Sequence, residues 1–284
     1  MQQAMNILTN LSSSNADVRF AAWRAAGDLH PDQIAEVGKL AASTNPGIAK
    51  AAKEALTTLT HSVGKDPANP KRAGVVNGLL GLVASGAADV KVHAMRLLSH
   101  IAGEDSVPAI AKYLADAALR EEAIYCLERI PGEGSIKAVM SAYAGAPDDF
   151  KPRLLAALGH RRSAAAKALC AEAMRSTNAA IAAAGAKAAA RIGKAPTPQF
   201  PQGPERADAV IRFAECQARE GNPAEASRLF KSLLDDPAAH VQCAAVIGLS
   251  KLRTADAAVA ILPKTKSTDR TVRITARNAW KSMT

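Results

Sequence analysis

Apolar and polar positions along the chain repeat a phrase of about 30 residues. Each phrase starts with a large apolar residue and continues with mostly apolar residues at positions +2, +4, +5, +8 and +11, with polar residues between them. This spacing is typical of an amphipathic helix whose broad apolar face packs against several neighbours. The first residues of the nine copies are Val18, Ile48, Val90, Leu119, Phe150, Ile181, Ile211, Val241 and Val272.

The distance between successive copies is nearly constant. Seven intervals span 29 to 31 residues, and the second interval spans 42. The longer interval contains the segment 61–72 (HSVGKDPANPKR), which has about the excess length. Most intervals also hold a second helical pattern, bounded by turns that contain Pro, Gly, Asn or Asp. Each repeat is therefore predicted to be a pair of helices.

A helix pair of this size cannot bury its own apolar face, so neighbouring repeats have to stack on each other. The sequence predicts an all-α fold, a right-handed α-solenoid of about nine helix-pair repeats. We assign repeats one to six to 1–194, a proline-rich crossover to 195–204, and repeats seven to nine to 205–284 of the same continuous solenoid. The crossover is predicted because residues that precede proline are disfavoured in helices.

The composition favours a helical core made of small residues. Of the 284 residues, 48% are hydrophobic but only 4% are aromatic. Such a core requires helices that approach each other closely. No apolar run reaches the ~18 residues of a membrane span, and the first residues lack the basic and apolar regions of a signal peptide. We therefore expect a cytoplasmic protein, or a periplasmic one if a signal peptide has been removed.

Positions +1 and +2 of the repeat are predicted to be structural. Position +2 is mostly apolar, with Phe20 in the first copy and Ile274 in the last, and is expected to pack in the core. Position +1 is basic in six of the nine copies, for example Arg19 and Arg273. We interpret these as aliphatic stems on the apolar face, with the charged group directed to a preceding Asp or to a neighbouring repeat.

Positions +3, +6 and +10 point to the inner surface of the predicted solenoid, and many of them are basic in copies three to six. We name this set, with one lysine from copy eight, the basic stripe. It consists of His93, Arg96, His100, Tyr125, Arg129, Arg153, His160, Lys187, Arg191 and Lys251. The net charge of +10 is concentrated near it, because 150–194 holds nine Lys and Arg against one Glu. Such an asymmetry favours an acidic partner.

The repeat resembles the HEAT-repeat family, in particular the short bacterial HEAT-like repeats that also occur in phycobilisome lyases. The resemblance covers nearly the whole chain and rests on DVR at 17–19, DVK at 89–91 and DRTVR at 269–273, each followed by a helical pattern rich in alanine and other apolar residues. The segment 207–236 also resembles a single tetratricopeptide hairpin. The family includes scaffolds, transport adaptors, bilin lyases, an iron hydroxylase and DNA glycosylases, so the resemblance implies a fold and leaves the function open.

The sequence contains no recognisable catalytic or metal-binding motif. The four cysteines are at least 27 residues apart and are interpreted as small buried thiols. His93, His100 and His160 have no carboxylate at ligand spacing, and the His-Glu dipeptides of the iron-binding HEAT hydroxylases are absent. The glycine-rich segment 78–86 lacks the ending of a phosphate-binding loop, so its glycines are assigned to helix packing. We expect no metal, no cofactor and no enzymatic activity.

The sequence therefore predicts a non-enzymatic, protein-binding scaffold whose basic inner face recruits an acidic protein segment. The histidines of the basic stripe would add positive charge below about pH 6.5. An ordinary solvated face with excess basic residues is the alternative to a binding surface. Nucleic-acid binding in a glycosylase-like groove without identifiable catalysis is a second hypothesis, and a lyase accessory role is a third. No aromatic or polar capping segment covers the last helix, so the chain is expected to belong to a longer protein or to self-associate.

Overall fold

The computed structural model describes residues 2–193 and 206–283. Every regular element within these two ranges is a helix, which confirms the predicted all-α class. The predicted proline-rich crossover at 195–204 lies outside the described residues.

The described ranges contain seventeen α-helices and several short 3₁₀ helices. The first nine are α1 (Gln2–Leu11), α2 (Ala16–Arg24), α3 (Ile34–Ala41), α4 (Pro46–Gly64), α5 (Arg72–Ser85), α6 (Ala88–Ile101), α7 (Val107–Ala111), α8 (Arg120–Arg129) and α9 (Glu133–Gly145). The other eight are α10 (Lys151–Arg161), α11 (Lys167–Ala173), α12 (Ala179–Ile192), α13 (Arg206–Arg219), α14 (Pro223–Lys231), α15 (Ala239–Leu252), α16 (Ala255–Ile261) and α17 (Arg270–Lys281). Each of the nine copies of the repeat coincides with one of them, namely α2, α4, α6, α8, α10, α12, α13, α15 and α17.

The chain divides into two compact units, Met1–Ala142 and Tyr143–Thr284. In the first unit α2, α4, α6 and α8 pack side by side, while α1, α3 and α5 form a second layer. In the second unit α10, α12, α13, α15 and α17 form one layer, and α11, α14 and α16 pack against it. Within each unit the helices therefore pack in chain order in two layers, as in an α-solenoid.

A recurrent turn determines where several repeat helices begin. Before α4, the hydroxyl of Ser43 accepts the N–H of Asn45 at 3.2 Å, and Asn45 Oδ1 accepts the N–H of Gly47 at 2.9 Å. The same turn precedes α2 and α12. Before α17, Asp269 takes the place of the asparagine and accepts the N–H of Val272 at 2.9 Å. These side chains satisfy N–H groups that have no partner within the helix.

Basic residues at position +1 close the turn that precedes their helix. Nη1 of Arg19 donates to the carbonyl oxygens six and five residues before it, at 2.7 and 2.9 Å. Arg273 makes the same pair of hydrogen bonds at the start of α17. Lys151 and Arg212 form ion pairs of 2.8 and 2.9 Å with the aspartates three and four residues before them. The predicted structural role of position +1 is confirmed for these residues, with turn carbonyls as additional, unpredicted acceptors.

Position +2 is not buried in every repeat. Phe213 in α13 is fully buried, whereas Phe20 and Ile274 are 51% and 46% exposed. Among the described helices, α13 has repeat helices on both sides, but α2 and α17 each pack against a repeat helix on one side. Phe20 instead packs edge to face on Trp23, with ring centroids 5.2 Å apart. The prediction that position +2 packs in the core is therefore wrong for the first and last copies.

Glycine and alanine permit the closest approaches between helices. A Cβ atom on Gly159 would lie 2.8 Å from the Cα of Ala188, where α10 meets α12. A Cβ atom on Gly185 would lie 2.9 Å from the backbone nitrogen of Met174, which follows α11. In the glycine-rich segment, a Cβ atom on Gly78 would lie 2.7 Å from a side chain of α3. The close helix packing expected from the composition is confirmed.

Adding a methyl group at two glycines should change stability in opposite directions. Gly185→Ala should lower the free energy of unfolding by about 1–3 kcal/mol, because the methyl meets backbone atoms that cannot rotate away. Gly81→Ala should raise it by about 0.5–1 kcal/mol, since nothing lies within 4 Å of the added Cβ and alanine is the better helix former. Urea unfolding measures both, and a Gly185→Ala variant as stable as wild type would contradict the tight contact between α11 and α12.

Candidate functional site

All ten residues of the basic stripe lie on described helices, and none of these ten is buried. The first unit holds His93, Arg96, His100, Tyr125 and Arg129. The second unit holds Arg153, His160, Lys187, Arg191 and Lys251. The surroundings of the two sets differ.

In the first unit a neighbouring repeat neutralises Arg96. Its Nη2 and Nε donate to Oε1 and Oε2 of Glu122 at 2.6 and 3.1 Å, which links α6 to α8. The hydrogen bond and the charge of this carboxylate raise the pKa of Arg96. A two-point ion pair of this kind fixes the orientation of the guanidinium. An incoming anion would have to compete with Glu122 for Arg96.

His93 is turned toward α4. Its Nε2 lies 3.0 Å from the carbonyl oxygen of Lys53 and 3.4 Å from Oγ1 of Thr57. Burial lowers the pKa of His93 below its usual 6.5, although the hydrogen bond with the Lys53 carbonyl acts in the opposite direction. The expectation that His93 adds positive charge below about pH 6.5 is therefore wrong, because it takes up a proton only at lower pH.

The remaining stripe residues of the first unit take part in contacts with aromatic rings. The guanidinium of Arg129 lies 3.5 Å from the ring centroid of Tyr125, and its Nη1 donates to the Tyr125 carbonyl at 3.2 Å. His100 meets His61 of α4 edge to face, with centroids 5.7 Å apart. The first unit thus presents a stacked arginine and a histidine pair.

In the second unit, arginines associated with α10, α12 and α13 gather around a surface cavity of 250 Å³. We name it the arginine cavity. Its charged or titratable lining residues are His160, Arg162, Arg191, Arg212, Glu215 and Arg219. An overlapping cavity of 290 Å³ shares His160, Arg191 and Arg212 and adds Lys187 and Asp208. Because the described lining has more guanidinium groups than carboxylates, the potential there is positive.

Local structure explains how these side chains come together. Arg162 directly follows α10, and its backbone is in the left-handed conformation with a φ of +51°. Arg212, Glu215 and Arg219 follow one another at three- and four-residue spacing on α13, which places them on one face. The close contact at Gly159 brings α10 near α12, which carries Arg191.

Asp208 acts as a counter-ion at the edge of the arginine cavity. Its Oδ2 lies 2.9 Å from Nζ of Lys187, and its Oδ1 lies 2.9 Å from Nε of Arg212. Burial alone would raise the pKa of Asp208, but the hydrogen bonds and charges of Lys187 and Arg212 outweigh burial and lower it. Asp208 is therefore ionised at neutral pH and fixes the orientation of Arg212.

The sequence identified only part of this cavity. His160 and Arg191 belong to the predicted basic stripe, whereas Arg212 was assigned a structural role alone. Arg162 and Arg219 were missed. Arg219 does carry a signal, because it occupies position +8 of its repeat, where most copies are apolar. Arg153 and Lys251, from the predicted stripe, are not among the described residues that line the two cavities.

Three of the four cysteines, Cys126, Cys170 and Cys216, are buried as expected, whereas Cys243 is partly exposed. Burial raises the pKa of the Cys126 and Cys170 thiols to about 12. Within 2–193 and 206–283, no three His, Cys, Asp or Glu side chains are grouped so that they could hold a metal ion. None of the described helices has the length and apolar character needed to cross a membrane.

Lowering the pH from about 7 to about 5 should destabilise the protein partly through His93. Because folding lowers the pKa of His93, the unfolded chain takes up a proton at higher pH, and stability is lost as the pH falls below about 6.5. His93→Gln keeps a donor for the Lys53 carbonyl but does not titrate, so this variant should lose less stability over the same interval. Urea unfolding at both pH values measures the difference, and equal losses would contradict the lowered pKa of His93 in the folded protein.

Comparisons with known proteins give the fold. No protein-family model matches the chain, and no curated protein matches it. The chain is similar to a solved mutant of Kap121p over 99% of its own length and 37% of that chain, with 10% identity and a TM-score of 0.56. Two other solved structures superpose less well. An engineered protein has 18% identity and a TM-score of 0.42, over 100% of this chain and 79% of that chain. Human deoxyhypusine hydroxylase in complex with glycerol has 14% identity and a TM-score of 0.36, over 89% of this chain and 96% of that chain. The likeness to the HEAT-repeat protein Kap121p shows an α-solenoid of helical repeats.

Proposed function

We propose that the protein is a non-enzymatic, HEAT-like scaffold that binds an acidic protein segment through the arginine cavity. The observation that carries this proposal is the convergence of arginines from α13, from α12 and from the turn after α10 on one cavity of the second unit. Guanidinium groups bind carboxylates through two parallel hydrogen bonds, so such a cluster suits acidic side chains. The proposed site is thus a smaller surface than the basic stripe.

The stripe residues of the first unit contribute less to this proposal. Arg96 is held by Glu122, and His93 contacts the Lys53 carbonyl. Breaking the Arg96–Glu122 pair would leave a half-buried carboxylate without its partner, which opposes binding of another anion. We therefore assign the main contacts with the acidic segment to the second unit.

The compactness of the positive patch favours a protein partner over nucleic acid. Glu215 lines the arginine cavity and Asp208 lies at its edge, so the positive charge forms a compact patch. A DNA duplex carries a negative charge about every 1.7 Å, so most of its phosphates around such a patch would have no arginine beside them. A flexible protein segment can instead place individual acidic side chains beside the arginines. Base stacking on Tyr125 would also have to displace Arg129 from its ring.

Removing charge from the arginine cavity should weaken the binding of an acidic peptide. We expect Arg191→Gln combined with Arg219→Gln to lower the affinity for fluorescein-labelled poly-glutamate by about tenfold or more. Hydrogen bonds to charged groups contribute about 1.5–3 kcal/mol each, and ~1.4 kcal/mol corresponds to tenfold. Arg96→Gln is the matched control, because it removes a stripe arginine that does not line the arginine cavity, and little change is expected.

Fluorescence anisotropy with poly-glutamate and with a short DNA duplex, each at about 50 and 200 mM salt, provides the measurement. An unchanged peptide affinity in the double variant would exclude the arginine cavity as the site. Steep, salt-dependent DNA binding without peptide binding would replace the proposal with the nucleic-acid hypothesis.

A further inference from the structure

Two arginines have an unusual backbone conformation. Arg162 and Arg253 are the non-glycine residues with positive φ in the described part of the chain, both at +51°. Each directly follows a repeat helix, α10 or α15, and each precedes the residue that caps the next helix, Ser163 or Thr254. Glycine is the usual residue at this point, because a Cβ atom crowds the backbone in the left-handed conformation. Both positions therefore carry strain that glycine would relieve.

The two turns differ in what surrounds the arginine side chain. Arg162 lines the arginine cavity. Arg253 is not among the described residues that line either cavity. Strained conformations persist where the surrounding structure holds the residue in place, and they cluster at functional sites. The shared backbone conformation makes Arg253 an internal control for a role of the Arg162 side chain.

The charge of the described residues that line the arginine cavity exceeds what a single carboxylate would neutralise. Arg162, Arg191, Arg212 and Arg219 line it together with Glu215, and Arg212 is also paired with Asp208. A carboxylate brings one charge and two acceptor oxygens. A phosphate monoester brings a charge of about −1.5 to −2 at neutral pH and three acceptor oxygens. Arginine clusters are a general means of recognising such groups in peptides.

The size of the cavity is compatible with a phosphoryl group. Its volume of 250 Å³ corresponds to several water molecules at ~30 Å³ each. A tetrahedral phosphoryl group can accept hydrogen bonds from guanidinium groups in different directions, as supplied by two helices and a turn. A planar carboxylate offers its two oxygens within one plane and would engage fewer of these side chains.

We propose that the arginine cavity is a subsite for the phosphoryl group of a phosphorylated serine or threonine in the acidic partner segment, with Arg162 as one of its ligands. The inference rests on the proposed function, because it assigns the chemistry of the same site. Arg162, Arg191 and Arg219 donate to the phosphoryl oxygens, while Arg212 remains paired with Asp208. Phosphorylation of the partner would then strengthen binding.

Two labelled peptides of the same acidic sequence, one with serine and one with phosphoserine, test this inference by fluorescence anisotropy. Wild type should bind the phosphoserine peptide at least about tenfold more tightly. Arg162→Gly should remove this preference without lowering the Tm, since glycine fits the left-handed conformation. Arg253→Gly makes the same backbone change at the other turn and should keep the full preference.

Each other outcome contradicts a defined part of the inference. Equal affinity of wild type for the two peptides would overturn the phosphoryl subsite and leave the proposed function intact, whereas binding of neither peptide would overturn both. A full preference in Arg162→Gly would exclude Arg162 as a ligand. If Arg162→Gly does not fold, Arg219→Gln replaces it, and a full preference there would exclude the cavity. Inorganic phosphate should displace the phosphoserine peptide from wild type, and failure to do so would also place the preference elsewhere.

Discussion

A helix pair of about 30 residues has too little apolar surface of its own to form a core, so each repeat of this chain depends on its neighbours. The neighbours must come close because the side chains that fill the core are mostly alanine, leucine, isoleucine and valine. The contact of Gly159 with Ala188 satisfies this requirement, because it leaves no room for a Cβ atom on residue 159. The apolar arc of each repeat helix is committed to this packing, which leaves the remaining positions for solvent and ligands.

The same surface positions acquire different properties in the two units because their neighbours differ. Arg96 has Glu122 on the next repeat helix, and the two form an ion pair within the protein. In the second unit, Arg191 lies on a helix whose neighbours supply Arg162 and Arg219, and the three line one cavity. Charge at one position of a repeat therefore does not define a binding surface. The side chains that adjacent repeats bring beside it decide whether a carboxylate or further arginines lie next to the charge.

The sequence was sufficient to predict where the helices of the repeat lie, because their pattern is periodic and occurs nine times. It also predicted the structural role of Arg19, since a basic residue beside the apolar arc has few other places for its charge. It could not predict the pairing of Arg96 with Glu122 or the contact between His93 and the Lys53 carbonyl. Both depend on the offset between neighbouring helices, which no single helix pattern contains. Arg162 was missed for a related reason, since its position follows from a left-handed turn in which glycine is the usual residue.

The packing that the fold requires also makes the candidate site possible. Axes of packed helices are about 8–10 Å apart, so one small anion can contact residues of two helices only through long side chains. Arginine has the necessary reach, and the contact at Gly159 brings the end of α10 close to α12. A larger residue at 159 would push these helices apart and would also separate Arg162 from Arg191. Small residues allow the close helix packing that a core with few aromatic residues requires. The same close packing thus determines whether the guanidinium groups can contact one ligand.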